Sequence, residues 1–151
     1  MFSDLLPERI DNTYRGRPAA LWLLALVVTV KVLQSVVVLF NGYSIARSAD
    51  GIPVETFPAA AAQTVVALFM ISGFSRLLLC VGCVLTLLRY RSAVVLMFVV
   101  LAVDYLGRQL VLTFQPIVRT GAPIGPYVNV ALFALTLIGF ALSFPWRGAA
   151  S

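Results

Sequence analysis

The chain has 151 residues, 61% of them hydrophobic and 11% charged, and its mean hydropathy is +0.99. A water-soluble domain is about 45–50% apolar and about 25% charged, so this composition excludes a surface solvated by water alone and makes lipid part of the solvent. Eleven Lys and Arg stand against six Asp and Glu, a formal +5, and there is no His. In a membrane protein a basic excess is first a topology signal. Without imidazole the usual proton shuttle and the commonest metal ligand are both missing.

The length suits a single bundle with no separate soluble domain. Residues 1–18 read as an interfacial tail, 19–145 as the bundle and 146–151 as a second tail. Four apolar stretches reach the roughly 20 residues that a span requires: residues 19–42, 59–88, 92–114 and 126–145. In lipid each must be helical, because only a helix satisfies its own backbone polar groups. The expected fold is therefore all-α, an antiparallel bundle of four transmembrane helices. Arg15 and Arg17 before the first stretch resemble the flank of a secretory signal, but the stretch exceeds the roughly 7–15 residues of a signal core. It also carries Lys31, so retention as a span is expected.

The second stretch holds 30 residues, about 45 Å at about 1.5 Å per residue, against a hydrocarbon core of about 30 Å. Its start after Pro58 is expected in the headgroup zone, or the helix tilts. Arg89, Tyr90 and Arg91 make a turn so short that the second and third spans should be antiparallel neighbours. Asp50-Gly51-Ile52-Pro53 is a turn signature in the first long loop. Pro116, Gly121, Pro123 and Gly125 keep the last loop from being regular helix.

One side of the membrane collects Arg9, Arg15, Arg17, Arg89, Arg91 and Arg147, the other only Arg47 and Arg119. The positive-inside rule then predicts both termini in the cytoplasm. Trp22 and Trp146 would sit at the inner interface, Tyr43 and Tyr127 at the outer one.

The most informative residues are the charges inside spans: Lys31, Arg76, Asp104 and Arg108. Each costs about 2.5–3.5 kcal/mol at mid-bilayer on insertion scales, whereas a Leu, Ile or Val returns about 0.3–0.6 kcal/mol. They should therefore face one another rather than lipid. Lys31, Arg76 and Asp104 each lie twelve residues from the inner ends of their spans at 19, 88 and 92. That depth is about 18 Å at about 1.5 Å per residue. Asp104 and Arg108, four apart, are expected to pair on one helix face. Gln34, Ser35 and Gly42 share the side of span one that carries Lys31. Ser72, Gly73, Cys80 and Cys83 accompany Arg76, and Asn129, Thr136 and Ser143 recur along span four, as expected of helix-contacting stripes.

Three cations against one carboxylate leave a surplus of two in this seam. It could be balanced by a deprotonated Lys31, by a Lys31 stem snorkelling to an interface, or by an anion. Intramembrane charge marks a functional site by default, so Lys31, Arg76, Asp104, Arg108, Gln34 and Asn129 are the ligand- or partner-binding candidates. The other reading is that they only hold the helices together. No catalytic constellation, metal cluster, cofactor motif or nucleic-acid motif is evident. The charges Asp50, Glu55 and Arg119 read first as a solvated connector and second as a recognition loop.

Cys80-Val81-Gly82-Cys83, in a four-span protein, resembles the redox pair of the disulfide-generating quinone reductases of the DsbB and vitamin K epoxide reductase kind. Those families place the pair near the outer face and use a second pair, whereas Cys80 and Cys83 would lie about 8–12 Å from the inner end of their span. Two cysteines at i and i+3 otherwise read as small packing residues. The small multidrug transporters share four spans, but their first helix carries an acidic residue where this one carries Lys31. DoxX-like proteins share size and span number without a matching motif.

Leu6-Pro7-Glu8-Arg9-Ile10-Asp11-Asn12-Thr13-Tyr14-Arg15-Gly16 resembles a family of small, uncharacterised bacterial inner-membrane proteins. Ser48-Ala49-Asp50-Gly51-Ile52-Pro53, Arg89-Tyr90-Arg91 and Pro116-Ile117-Val118-Arg119-Thr120-Gly121 add to the likeness. It implies a location in the inner membrane and no activity.

The expected function is that of a small integral membrane protein: a non-enzymatic accessory, scaffold or lipid-binding bundle with a charged intramembrane seam. The alternatives are a transporter or binding site for an anionic or amphipathic small molecule, and a quinone-linked thiol redox enzyme. Its expected partners are membrane lipids, another membrane protein or a second copy of itself.

Overall fold

A computed structural model describes residues 11–144. Arg9, Trp146, Arg147 and residues 6–10 of the family-like run lie outside the described residues. The regular structure of the described residues is all helical, with no strands. Four helices are long and apolar enough to cross a membrane: α1 Pro18–Phe40, α3 Ala59–Arg89, α4 Val94–Phe114 and α5 Gly125–Leu142. These match the expected spans to within a few residues. A short helix that the sequence did not reveal, α2 Gly42–Ser48, comes directly after α1.

Local chemistry explains the boundaries. Pro18 opens α1 and Pro126 sits in the first turn of α5, where the missing N–H costs nothing. Span one was expected to run to Gly42, but α1 stops at Phe40 and Asn41 caps it, its N–H bonding Val37 O. Gly42 instead starts α2 against α3, where a Cβ would lie 3.0 Å from Met70 Cγ. The chain then returns over the bundle as a cap. Ala46, Ile52 and Val54 are buried there, with Phe57, Val65 and Phe69 packed against them.

Helix α1 is the hub. Its interface with α3 is the most extensive in the protein, its interface with α5 comes next, and α5 in turn packs on α4. Helices α3 and α4 are joined by a single 3-10 turn, Arg91–Ala93, yet touch sparingly. Two helices joined so tightly must be close at the turn, so the sparse contact means that they diverge beyond it. The expected antiparallel neighbours thus meet at one end only.

The end that carries residues 11–17 and 142–144, here the terminal face, is close-packed. Ala20, Leu24, Val27 and Val28 of α1 meet Cys80 and Cys83 of α3, Val94, Phe98 and Leu101 of α4, and Leu132 of α5 in one apolar core. Residues 11–17 close that end from outside. Ser92 Oγ accepts from Asp11 N at 3.0 Å and donates to Asp11 O at 2.9 Å, and Arg17 N donates to Leu142 O at 3.1 Å. Trp22, Leu33, Phe40, Leu68, Ile71, Leu88, Val103 and Leu110 face outward, an apolar surface that only lipid solvates without penalty.

Close helix approach depends on two glycines. Gly73 of α3 lies under Ser35 and Val38 of α1, and a Cβ there would sit 3.0 Å from Val38 Cγ1. A Cβ on Gly139 of α5 would overlap the ring of Phe98, itself fully buried. Gly82, also helical, has nothing within 4 Å of the corresponding position. Alanine gains about 1 kcal/mol over glycine in a helix, whereas overpacking a core costs about 1–3 kcal/mol. Gly139→Ala should therefore lower the melting temperature in detergent while Gly82→Ala holds or raises it. Equal behaviour of the two would contradict the packing described here.

Candidate functional site

Of the charges predicted to share one depth, Lys31 and Asp104 meet. Lys31 of α1 is buried, and its Nζ lies 3.9 Å from Oδ2 of Asp104 on α4. This corrects one expectation and removes one of the three ways of balancing the charge. Asp104 pairs across helices with Lys31, and among the described residues no ion pair forms between Asp104 and Arg108. Nor does Lys31 snorkel, because its side chain is only 10% exposed. Attraction between opposite charges strengthens where water is scarce, so the dry interior favours the interhelical partner. Arg108, one turn further along α4, extends its long stem toward a wetter region instead.

That region is a cleft beside the cap, at the end opposite the termini. A cavity of about 400 Å³ lies between α4, α5 and the two long loops; its polar lining includes Asp50, Tyr105, Arg108, Gln109, Arg119 and Asn129. Its loop residues Pro116, Ile117 and Arg119 are exposed, so it opens on the loop face. A second cavity of about 300 Å³ lies between α1, α2, α3 and α5 and is lined by Gln34, Arg76, Asp50 and Asn129 among others. Asp50 and Asn129 are common to both. They form the partition between Arg76 on one side and Arg108 with Arg119 on the other.

Asp50 is held there by its neighbours. Ala49 O accepts from Gly125 N at 2.9 Å, and Gly51 O accepts from Thr120 N at 2.7 Å and Thr120 Oγ1 at 3.2 Å. The two loops are therefore clamped on either side of the carboxylate. Gly51 has φ 70°, the left-handed conformation that favours glycine. At Gly125 a Cβ would lie 2.7 Å from Ala49 O and 3.2 Å from Asp50 Oδ1. The carboxylate thus rests beside the first turn of α5, where the helix dipole favours negative charge. Burial pushes the Asp50 carboxyl above its ordinary range, against the pull of Arg119, Arg76 and Arg108 in that order. Desolvation thus outweighs three nearby cations.

Asp50 is the residue that sequence reading placed in a solvated connector. The one signal in the sequence was its position in the tight turn Asp50-Gly51-Ile52-Pro53 of the first long loop. Arg119, read the same way, lines the cavity as well. Tyr105 stacks on Phe133 with centroids 4.3 Å apart and accepts a hydrogen bond from Gln109 Nε2 at 2.9 Å, which gives the cavity an ordered wall.

The remaining candidates fall into place around this arrangement. Gln34 and Asn129 line the cavities. Ser35 is buried, and its hydroxyl has no hydrogen-bond partner. Thr136 and Ser143 are buried in α5 but donate to Leu132 O and Gly139 O of their own helix, both at 2.7 Å. The Thr136 and Ser143 hydroxyls thus turn back to carbonyls of the preceding turn. Cys80 and Cys83 are free thiols in the apolar core of the terminal half. Arg47 and Glu55 make an exposed ion pair at 3.5 Å, worth at most about 1 kcal/mol. Among the described residues no group of His, Cys, Asp and Glu could hold a metal ion.

Removing one member of a buried ion pair strands its partner, at a cost of about 3–5 kcal/mol. Lys31→Met and Asp104→Leu should each reduce yield and melting temperature in detergent, and the double variant should recover most of the loss. Additive losses in the double variant would show that the two side chains do not act as a pair.

No family model matches the sequence, and no curated protein or solved structure shows significant similarity to it.

Proposed function

We propose that this integral membrane protein binds an anionic amphiphile, a lipid or a lipid-like small molecule, in the cleft on its loop face. The observation that carries the reading is the cavity of about 400 Å³ with Arg108, Arg119 and Asn129 in its lining. It lies beside outward-facing Leu110, Val111 and Phe114 of α4. A cationic pocket continuous with a lipid-facing apolar helix suits a ligand with an acidic head and a hydrocarbon tail. Of the three ways to balance the intramembrane charge, entry of an anion suits this arrangement best, because Asp104 already neutralises Lys31 and the surplus lies with the arginines.

The basic residues of the terminal face, set against Arg47 and Arg119 alone on the loop face, favour cytoplasmic termini. The cleft would then open to the outside of a plasma membrane, which in the family resembled by the N-terminal run is the bacterial inner membrane.

Arg108→Gln and Arg119→Gln are expected to weaken retention of anionic lipid while leaving retention of zwitterionic lipid unchanged, as read by native mass spectrometry of the protein released from mixed bilayers. Each lost charge-assisted hydrogen bond is worth about 1.5–3 kcal/mol, so the anionic adducts should fall at least several-fold. Unchanged anionic adducts in both variants would remove the reading.

A further inference from the structure

The second cavity, between α1, α2, α3 and α5, has a charge composition of its own. Its lining holds one guanidinium, Arg76, and one carboxylate, Asp50, and includes neither Arg108 nor Arg119. Among the described residues no ion pair joins Arg76 to Asp50 or to another carboxylate. Two opposite charges thus stand apart in one space of about 300 Å³. Gln34 and Asn129 beside them make no side-chain hydrogen bond among the described residues. The rest of the wall is largely apolar, with Leu33, Val37, Val38 and Ile45. Leu33 and Val37 are among the outward-facing residues of α1, so the cavity borders the lipid phase.

This composition selects by charge. An anion alone would meet Asp50, and a cation alone would meet Arg76. An apolar ligand would leave both charges desolvated without a partner, which is costly. A zwitterion satisfies both. The volume is at the lower end of the roughly 300–1,000 Å³ of ligand pockets, room for a headgroup rather than a whole lipid. Arg76 belongs to a span and Asp50 to the loop face, so the anionic group of the ligand lies deeper and its cationic group nearer the surface. A phospholipid entering from the lipid side has its groups in that order: tails, phosphate, then amine.

We propose that this second cavity takes a zwitterionic phosphoethanolamine group, its phosphate on the Arg76 guanidinium and its primary ammonium on the Asp50 carboxylate. A guanidinium binds phosphate oxygens in pairs, and the Gln34 amide adds a neutral donor. A primary ammonium has three N–H donors, as in lysine, whereas a trimethylammonium has none, so Asp50 discriminates between the two. The inference goes beyond the anionic-amphiphile reading and does not rest on it, because the two cavities use different arginines. The group can come from a phospholipid or from a soluble ester, and the lipid-facing border favours the phospholipid.

The test uses the full chain in bilayers with equal fractions of phosphatidylethanolamine and phosphatidylcholine of the same acyl chains, read by native mass spectrometry. The unaltered protein should retain phosphatidylethanolamine about tenfold over phosphatidylcholine. Asp50→Asn should bring that ratio close to one. Arg76→Gln should lower phosphatidylethanolamine adducts at least threefold, and Arg108→Gln should leave them unchanged. Glycerophosphoethanolamine that displaces the lipid at equal concentration would support the chemical class and assign its source to a soluble ester. Equal retention of the two lipids by the unaltered protein would overturn the inference, as would a preference that survives Asp50→Asn. Neither result would touch the anionic-amphiphile reading, which is tested on anionic lipid with Arg108 and Arg119.

Discussion

A lysine and an aspartate facing each other between two helices, in the low-dielectric middle of a bundle, constrain most of this structure. Neither could face lipid singly without a penalty of several kcal/mol, and neither can be left alone in the interior. Lys31 on α1 must therefore point at α4, and Asp104 on α4 must point at α1. That fixes the rotation of both helices about their axes, and with it the faces presented to α3 and α5. The same constraint explains why α1, though first in the chain, lies at the centre of the packing. Ser35 and Val38, one and two turns further along the face that carries Lys31, meet Gly73 of α3.

On the two sides of that pair the bundle has different characters. Toward the termini, Phe98 against Gly139, the two cysteines and the valines of α1 make a dry core. Its tight packing leaves helices no freedom to separate. Toward the loops, one cavity between α1, α2, α3 and α5 holds Gln34 and Arg76, another between α4, α5 and the two long loops holds Arg108 and Arg119, and Asp50 and Asn129 line both. One end thus provides rigidity and the other an opening. A site built in this way has its polar groups on stable helices and its counter-ion on a clamped loop. That arrangement favours selective binding over a large movement of the bundle.

Much of this was legible in the sequence, and the remainder was hidden for identifiable reasons. The spans are visible because twenty apolar residues have no other explanation. The common depth of Lys31, Arg76 and Asp104 comes from counting alone, since helical rise is constant. Pairing was not countable. The i,i+4 rule ties Asp104 to Arg108, but it knows nothing of a neighbouring helix whose rotation brings Lys31 closer to the carboxylate. The cap was hidden for another reason. Gly42–Ser48 is too short for a periodic signal, and Asp50 in its tight turn reads as a surface connector until the clamp to Thr120 and Gly125 is seen. Thr136 and Ser143 were correctly placed on the inner face. Their hydroxyls, however, turn back to their own helix, a choice that sequence spacing does not distinguish from bonding to a neighbour.

A cationic cleft on the loop face above a dry terminal core is the division on which the proposed binding rests, and thiol accessibility tests it most directly. In cells carrying Asn129→Cys, a membrane-impermeant, anionic thiol reagent added from outside should label residue 129 rapidly and leave native Cys80 and Cys83 untouched until the protein is unfolded. An anionic amphiphile that occupies the cleft should slow the labelling. Protection of residue 129 in the folded protein from either side of the membrane, or labelling of Cys80 and Cys83 at a comparable rate, would contradict that division.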